Sequence, residues 1–303
     1  MKDPAVDRSD GFFGEGEFER VAALLKSMTG IHLTDNKRTM AAGRLSKRLK
    51  ALGLSSVASY CDVLQAPGSG GEQDAFISAL TTNMTRFFRE PHHFRHLGDH
   101  VLPDLVARAR RGGRVRIWSA GCSMGEEAYD LACHLLDVCP EAERLDIKIL
   151  ASDIDKQALD IARAGTYATP SLENLPKDFA ARFFGPDPKD QGVSRIRKGP
   201  RDLICFRWLN LNAQWPFAGK FDAIMCRNVA IYFDAPTQAD LWRRMVTAIQ
   251  TPGTLYIGHS EMLPRDILNT VSQVAVGAFR VGAPLEKALS ASPPIPSRTE
   301  MTR

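Results

Sequence analysis

The chain lacks several features that would fix its class at once. No stretch reaches the about 20 uninterrupted apolar residues that a membrane-spanning helix needs. Met1 to Gly16 is polar and of mixed charge, without the apolar run of a secretory signal. These absences predict a cytoplasmic chain with no direct membrane insertion. Its six cysteines, Cys61, Cys122, Cys133, Cys139, Cys205 and Cys226, never fall as Cys-x-x-Cys. That pattern argues against a structural zinc site and fits reduced thiols. The net charge of +4 is small for 303 residues and does not by itself ask for a nucleic acid. Internal repeats are absent. What is present, 44% hydrophobic and 24% charged residues, suits an ordinary globular protein.

Two parts and a tail are legible. Phe18, Val21, Leu24, Leu25 and Met28 recur at helical spacing before Thr29-Gly30. A second helix is expected from an N-cap at Thr34 or Asp35 to Leu52, a third over Val57 to Leu64, and a fourth over Gln73 to Leu80. The second helix carries Lys37, Arg38, Arg44, Lys47, Arg48 and Lys50 opposite an apolar stripe of Leu45, Leu49 and Leu52. Beyond it the rhythm changes. Strand-like runs at Val115–Ser119, Ile147–Ser152, Ile204–Leu209, Phe221–Cys226 and Thr254–Gly258 alternate with helical runs at Glu126–Val138, Asp155–Ala164 and Pro236–Gln250. Alternation of this kind predicts βαβ units and a mainly parallel sheet, hence an α/β fold. Val271–Val276 and Phe279–Val281 suit a final antiparallel pair. Gly165 to Arg201 is too long for an ordinary connection and reads as an inserted subdomain, about residues 165–203. The divisions expected are a flexible N-terminus (1–16), a helical domain (17–78), an α/β domain (79–283) and a disordered Ser/Pro/Thr-rich tail (284–303).

Polar residues collect at the ends of the strands, where open α/β sheets bind ligands. Ser119-Ala-Gly-Cys-Ser-Met-Gly-Glu-Glu127 follows the first strand and opens a helix. Its glycines allow a tight turn, but the Gly-x-Gly-x-x-Gly spacing of a dinucleotide loop is missing. Glu126 and Glu127 in the first turn would repel a pyrophosphate. A cationic cofactor such as S-adenosylmethionine fits better, with Glu127 beside its ammonium group. For one of the two glutamates the helix dipole is explanation enough. Asp153, ending the second strand, is the candidate for the ribose hydroxyls, and Asp155 the N-cap of the next helix. Asn210 and Leu211, after the third strand, are candidates for the adenine edge. Arg227 and Asn228 follow the fourth. A buried Arg227 must either pair with a carboxylate or face the cleft.

Taken in order, Leu80-Thr-Thr-Asn-Met-Thr-Arg-Phe-Phe-Arg-Glu90, Trp118-Ser-Ala-Gly-Cys-Ser-Met-Gly-Glu-Glu127, Ala151-Ser-Asp-Ile-Asp155, Phe221-Asp-Ala-Ile-Met-Cys-Arg-Asn-Val-Ala-Ile-Tyr-Phe233 and Gly258-His-Ser-Glu261 resemble the chemotaxis receptor methyltransferases of the CheR type, over about Phe18 to Arg280. The resemblance implies an all-helical N-terminal domain on a Rossmann-like S-adenosylmethionine methyltransferase sheet. It implies methyl transfer to glutamate side chains on the cytoplasmic domain of chemoreceptors, with S-adenosylhomocysteine as the other product. Cofactor contacts are implied at Asn83, Thr85, Arg89, Glu127, Asp153, Asn210, Leu211, Arg227 and Asn228, with Tyr232 near the transferred methyl. Arg89 and Tyr232 are the candidates for orienting the reactants. One departure is Met124, where the family carries a threonine. Acidic receptor helices give the basic helix a purpose, so Lys37, Arg38, Arg44, Lys47 and Arg48 are candidate substrate-binding residues.

His92, His96 and His100 stand at successive helical turns like a metal comb. A carboxylate partner is not obvious, and methylating a carboxylate needs no metal, so no metal is expected. Nor is a nucleic-acid partner, since enzymes that methylate base amino groups carry an acidic or Asn-Pro-Pro-type motif where this chain has Arg227-Asn228-Val229. A monomer is expected. The competing readings are a methyltransferase of the same fold acting on another protein or small-molecule acceptor, and a non-catalytic module that senses the cofactor.

Overall fold

The computed structural model describes residues 12–173 and 175–282. The tail expected at 284–303 lies outside them, as do residues 1–11 of the expected flexible N-terminus. Four helices come first: α1 (Glu17–Thr29), α2 (Arg38–Leu52), α3 (Val57–Gln65) and α4 (Gly70–Leu80). On α1, Phe18, Val21 and Leu25 face inward, and on α2 Ala41, Ala42, Leu45 and Leu49 do the same. These stripes close on Tyr60, Leu64 and Phe76 to form a core separate from the rest of the chain. Gly30 and Gly53, at φ 81° and 66°, end the first two helices in the left-handed conformation that glycine adopts without strain.

Two local expectations fail here. The Thr34–Lys37 stretch is a 3-10 turn with no side-chain cap, so α2 proper begins at Arg38. Phe13, expected in a flexible arm, is buried, with its ring 5.4 Å from Phe18 and the Arg38 guanidinium 5.8 Å from its centre. An aromatic side chain that can bury that much area orders its own segment.

The chain continues through α5 (Pro91–His96), a π-helical turn (Leu97–Val101) and α6 (Leu102–Arg110) into β1 (Val115–Ala120), α7 (Glu126–Val138), β2 (Ile147–Asp153) and α8 (Lys156–Ala164). An insertion follows: β3 (Thr166–Ala168), α9 (Lys177–Phe183), β4 (Phe184–Pro186) and β5 (Val193–Ile196). The three strands form a small antiparallel sheet of their own, ordered β3-β5-β4. Then come α10 (Lys198–Leu203), β6 (Ile204–Trp208), β7 (Phe221–Cys226), α11 (Ala235–Thr247), β8 (Ile249–Ile257), α12 (Arg265–Leu268), β9 (Val271–Ala275) and β10 (Ala278–Val281).

The main sheet runs β6-β2-β1-β7-β8-β10-β9. The first five strands pair in parallel, and β10 is antiparallel to both neighbours. Strand geometry sends successive side chains to opposite faces. Thus Ile117, Ala223 and Met225 enter one apolar cluster with α6 and α7, while Trp118, Ile224 and Cys226 enter the other with α11. Both faces are covered, which is why these strands read as unbroken apolar runs. The helical run expected over Pro236–Gln250 closes at Thr247 as α11, and β8 starts at Ile249, which pairs with Phe221. The polar, proline- and glycine-containing Gln250–Gly253 stretch hides that strand start from pattern reading.

Asp155 fastens the helical domain to the sheet. One oxygen accepts the Gln157 and Ala158 amides at 2.9 and 3.3 Å and caps α8. The other accepts from Ser78, Thr81 and Asn83, at 3.1, 3.0 and 2.5 Å. Replacing Asp155 with alanine removes a cap worth ~1 kcal/mol and orphans donors at ~1–3 kcal/mol. Urea denaturation of Asp155→Ala is expected to show a loss of roughly 2–4 kcal/mol; an unchanged midpoint would refute this role.

Candidate functional site

A cavity opens beyond the carboxyl ends of β1, β2, β6 and β7. Its lining includes Asn83, Thr85, Arg89, Glu127, Asp153, Asn210, Leu211, Arg227, Asn228 and Tyr232. All nine residues expected at the cofactor, and Tyr232, therefore face one space. The five cations expected to bind substrate are elsewhere, on and just before α2.

The turn after β1 forms the floor. Gly121 has φ 78°, and a Cβ there would meet Val229 at 2.4 Å, so only glycine lets the β1 and β7 turns approach this closely. The Gly121 and Cys122 amides bond the Ser152 carbonyl at 2.8 and 2.9 Å. Ser123 donates its amide to Asp153 at 2.8 Å and its hydroxyl to the Asn83 carbonyl at 3.1 Å. The other Asp153 oxygen accepts the Asp155 amide at 2.9 Å. Burial outweighs these bonds and pushes the Asp153 carboxyl up to about 6. Met124, the departure noted above, contributes a backbone carbonyl that accepts the Tyr167 hydroxyl at 2.8 Å, and a backbone group does this whatever the side chain.

Glu127 and Arg227 stand at the centre, almost entirely buried. Glu127 accepts from the Ser119 hydroxyl at 2.7 Å and lies 3.0 Å from Arg227 Nε. Arg227 Nη2 donates to the Arg89 carbonyl at 2.7 Å, and the guanidinium lies 5.3 Å from the centre of the Phe94 ring. Its Nη1 and the Asn228 Oδ1 are buried without a hydrogen-bond partner. The sequence left Arg227 a choice between carboxylate and cleft, and it does both.

Arg89 is held by an unusual turn. Phe88 and Glu90 on either side have φ of 55° and 54°, values rare outside glycine. The Phe88 amide donates to Asp130 at 2.7 Å, and Glu90 accepts from His259 Nδ1 at 2.8 Å. Tyr232 ends a 3-10 turn, and its carbonyl accepts the His32 amide at 2.8 Å.

Sequence reasoning missed several contributors. Glu261 is buried and accepts four amides, from Gly258, Asn228, Val229 and Ala230, at 2.7–2.9 Å. It shapes the turn that carries Arg227 and Asn228. Its place at the end of the fifth strand suggests just such a structural or cleft-lining part. Thr29 and Ile31, from the end of α1, also line the cavity. Asn210, expected at an adenine edge, donates its side-chain amide to the Met28 carbonyl at 2.8 Å and so ties α1 to the sheet. In the basic stripe, Arg38 pairs with Glu19, Arg44 donates to the Ala79 and Thr81 carbonyls, and Arg48 pairs with Glu72. Lys37 and Lys47 are exposed. Of the three histidines at successive turns, His96 bonds the Tyr256 hydroxyl through Nδ1 at 3.0 Å, and its ring lies 5.1 Å from that of His100.

With this geometry in view, a family model described as "CheR methyltransferase, SAM binding domain" matches residues 83–276, and one described as "CheR methyltransferase, all-alpha domain" matches residues 16–81. The chain belongs to this family. Its cofactor is S-adenosylmethionine, and its architecture is the all-helical domain followed by the Rossmann-like sheet. Similar curated proteins include a probable chemotaxis protein methyltransferase of Rhizobium etli, 44% identical over 85% of this chain and 96% of its own. The chemotaxis protein methyltransferase of Escherichia coli is 42% identical over 82% and 84%, and chemotaxis protein methyltransferase 2 of Pseudomonas aeruginosa 42% over 85% and 90%. Among the described residues, no helix is long and apolar enough to cross a membrane.

The two glutamates that open α7 differ in kind. Glu127 has partners, whereas Glu126 Oε2 is buried with none, and burial pushes the Glu126 carboxyl up to about 7. A raised carboxyl pKa means that stability is fully present below the unfolded value and falls as pH rises through the folded one. Glu126→Gln is therefore expected to stabilise the chain by roughly 1–3 kcal/mol at about pH 8, with the gain vanishing toward about pH 4.5. Denaturation midpoints across pH measure this, and a gain independent of pH would contradict it.

Proposed function

We propose that the chain transfers a methyl group from S-adenosylmethionine to glutamate side chains on the cytoplasmic domain of chemoreceptors. The observation that carries this reading is the convergence of Tyr232 and the nine expected cofactor residues, Arg89 among them, on one cavity, in a chain of the CheR methyltransferase family. The residues fit the cofactor. An acidic group ends β2 where ribose hydroxyls bind in nucleotide folds. Arg227 Nη1 and Asn228 Oδ1 supply an unpaired donor and acceptor for the amino-acid end. Glu127, already beside Arg227, provides the negative charge that an ammonium group needs.

When bound, S-adenosylmethionine supplies a methyl group on a sulfonium leaving group, so one O–C bond forms, one S–C bond breaks and S-adenosylhomocysteine remains. A glutamate side chain, with an ordinary pKa of ~4.3, is ionised at neutral pH and serves as its own nucleophile. The chain therefore needs no general base. Its residues orient and dehydrate. Arg89, whose guanidinium donates to the Met84 carbonyl at 3.2 Å, keeps further N–H groups for a substrate carboxylate. Tyr232 stays a neutral hydroxyl, because burial raises its pKa against the opposing charge of Arg89. Alignment of this sort is worth up to ~7–11 kcal/mol in well-oriented systems.

Two outcomes are expected. With labelled S-adenosylmethionine and a cytoplasmic chemoreceptor fragment, the label on the receptor should be released as methanol by mild base, the mark of a carboxyl methyl ester. Arg89→Ala should bind the cofactor and lower kcat/KM at least tenfold, about 1.4 kcal/mol. Base-stable label would move the acceptor to another class, on a different protein or small molecule, and full activity of Arg89→Ala would end its orienting role. Secondly, the exposed Lys37 and Lys47 should steer acidic receptor helices. The charge-reversed pair Lys37→Glu/Lys47→Glu should slow receptor methylation several-fold at low salt and leave cofactor affinity alone; equal rates at low salt would show the stripe to be a solvated surface.

A further inference from the structure

The turn that presents Arg89 contains an unbalanced set of acceptors. Glu90 Oε2, His92 Nε2 and His93 Nδ1 each lie buried without a hydrogen-bond partner. Ligand atoms of the three residues lie within 4.8 Å of one another, and His93 Nδ1 is 3.3 Å from Glu90 Oε2.

The tautomer of His93 can be read from its far side. Nε2 lies 3.0 Å from the Val276 carbonyl, which can only accept, so Nε2 carries the proton. In the neutral ring Nδ1 is then a lone pair aimed at a carboxylate oxygen. Two acceptors at 3.3 Å repel unless a proton or a cation lies between them.

The surroundings are those of a supported ligand set. Metal-binding histidines commonly donate their other N–H to a backbone carbonyl, and metal-binding carboxylates are themselves hydrogen-bonded. His93 does the first through Val276. Glu90 does the second, since its other oxygen accepts the His259 Nδ1–H at 2.8 Å. Gly277 fixes the ring position: a Cβ there would stand 2.6 Å from His93 Nε2. The nearby Arg227 guanidinium opposes a cation, and Glu127 at 3.0 Å offsets it. The half-buried His92 is the side open to solvent.

We propose that Glu90, His92 and His93 form a binding site for a divalent transition metal of the Zn²⁺ type, which braces the turn that carries Arg89. Two imidazoles and one carboxylate suit Zn²⁺ or Co²⁺ and do not suit the oxygen-seeking Mg²⁺ or Ca²⁺. Bonds of about 2.0–2.2 Å require the three atoms to draw together by small side-chain rotations. The ion takes no part in methyl transfer. It joins the start of α5 to Glu90, and through His259 to the segment after β8, on either side of a turn whose two left-handed residues store strain.

The test uses the untagged full chain, stripped with a chelator and titrated with Co²⁺ and with Zn²⁺. We expect one saturable site, the strong visible absorption of low-coordinate Co²⁺, displacement of Co²⁺ by Zn²⁺, and a higher melting temperature with metal. His92→Gln, at a partly exposed position, should weaken binding at least tenfold while circular dichroism stays unchanged. His100→Gln should bind as the natural chain does, which separates this site from the helical comb. The proposal is overturned if the folded natural chain shows no saturable binding or only the weak spectrum of hexa-aqua Co²⁺, if His92→Gln binds undiminished, or if His100→Gln loses affinity as much as His92→Gln.

Discussion

The site is organised around one buried ion pair, Arg227 with Glu127. Taking both charges out of water is costly, and the cost is offset only when the partners stay together and keep further hydrogen bonds. Two hydrogen bonds reach outward, to Ser119 at the end of β1 and to the Arg89 carbonyl on the strained turn, and the guanidinium also lies over the Phe94 ring of α5. The strand ends of β1 and β7, the start of α7 and the segment after the helical domain thereby share one fixed point. Glu261 completes the arrangement from behind by satisfying four amides of the neighbouring turns with two oxygens.

Acid collects at the strand ends that wall this cavity. Glu127 and Asp153 are both buried, and burial raises both carboxyl groups. Each charge is costly out of water; Arg227 and Ser119 offset that cost at Glu127, and the Ser123 and Asp155 amides at Asp153. A loop built to receive phosphate would place amides and lysine here; this one places carboxylates.

The sheet was legible because both of its faces are covered, so its strands read as continuous apolar runs, and the polar residues at their ends mark the cleft. Asp153, Glu127, Arg227 and Asn228 follow from that rule alone. Asn83, Thr85 and Arg89 do not: they precede the first strand, and only the family resemblance brought them in. Glu261 reads as structural or cleft-lining, but the four backbone amides that it holds leave no trace in sequence. Nor could pattern reading see that the helical domain supplies part of the cavity wall, because Thr29 and Ile31 read as an ordinary helix end. The insertion resisted for a different reason. Its strands are three or four residues long, too short for a period to show. The basic stripe was over-read, because Arg44 and Arg48 turn inward to bind carbonyls and Glu72 that lie far away in sequence.

The cavity wall is shared between two units that each possess a core of their own. Thr29 and Ile31 come from one, Asp153 and Arg227 from the other, and Asn210 holds the seam by its bond to Met28. A molecule lying in that space touches both units at once, so its binding free energy also counts toward their association.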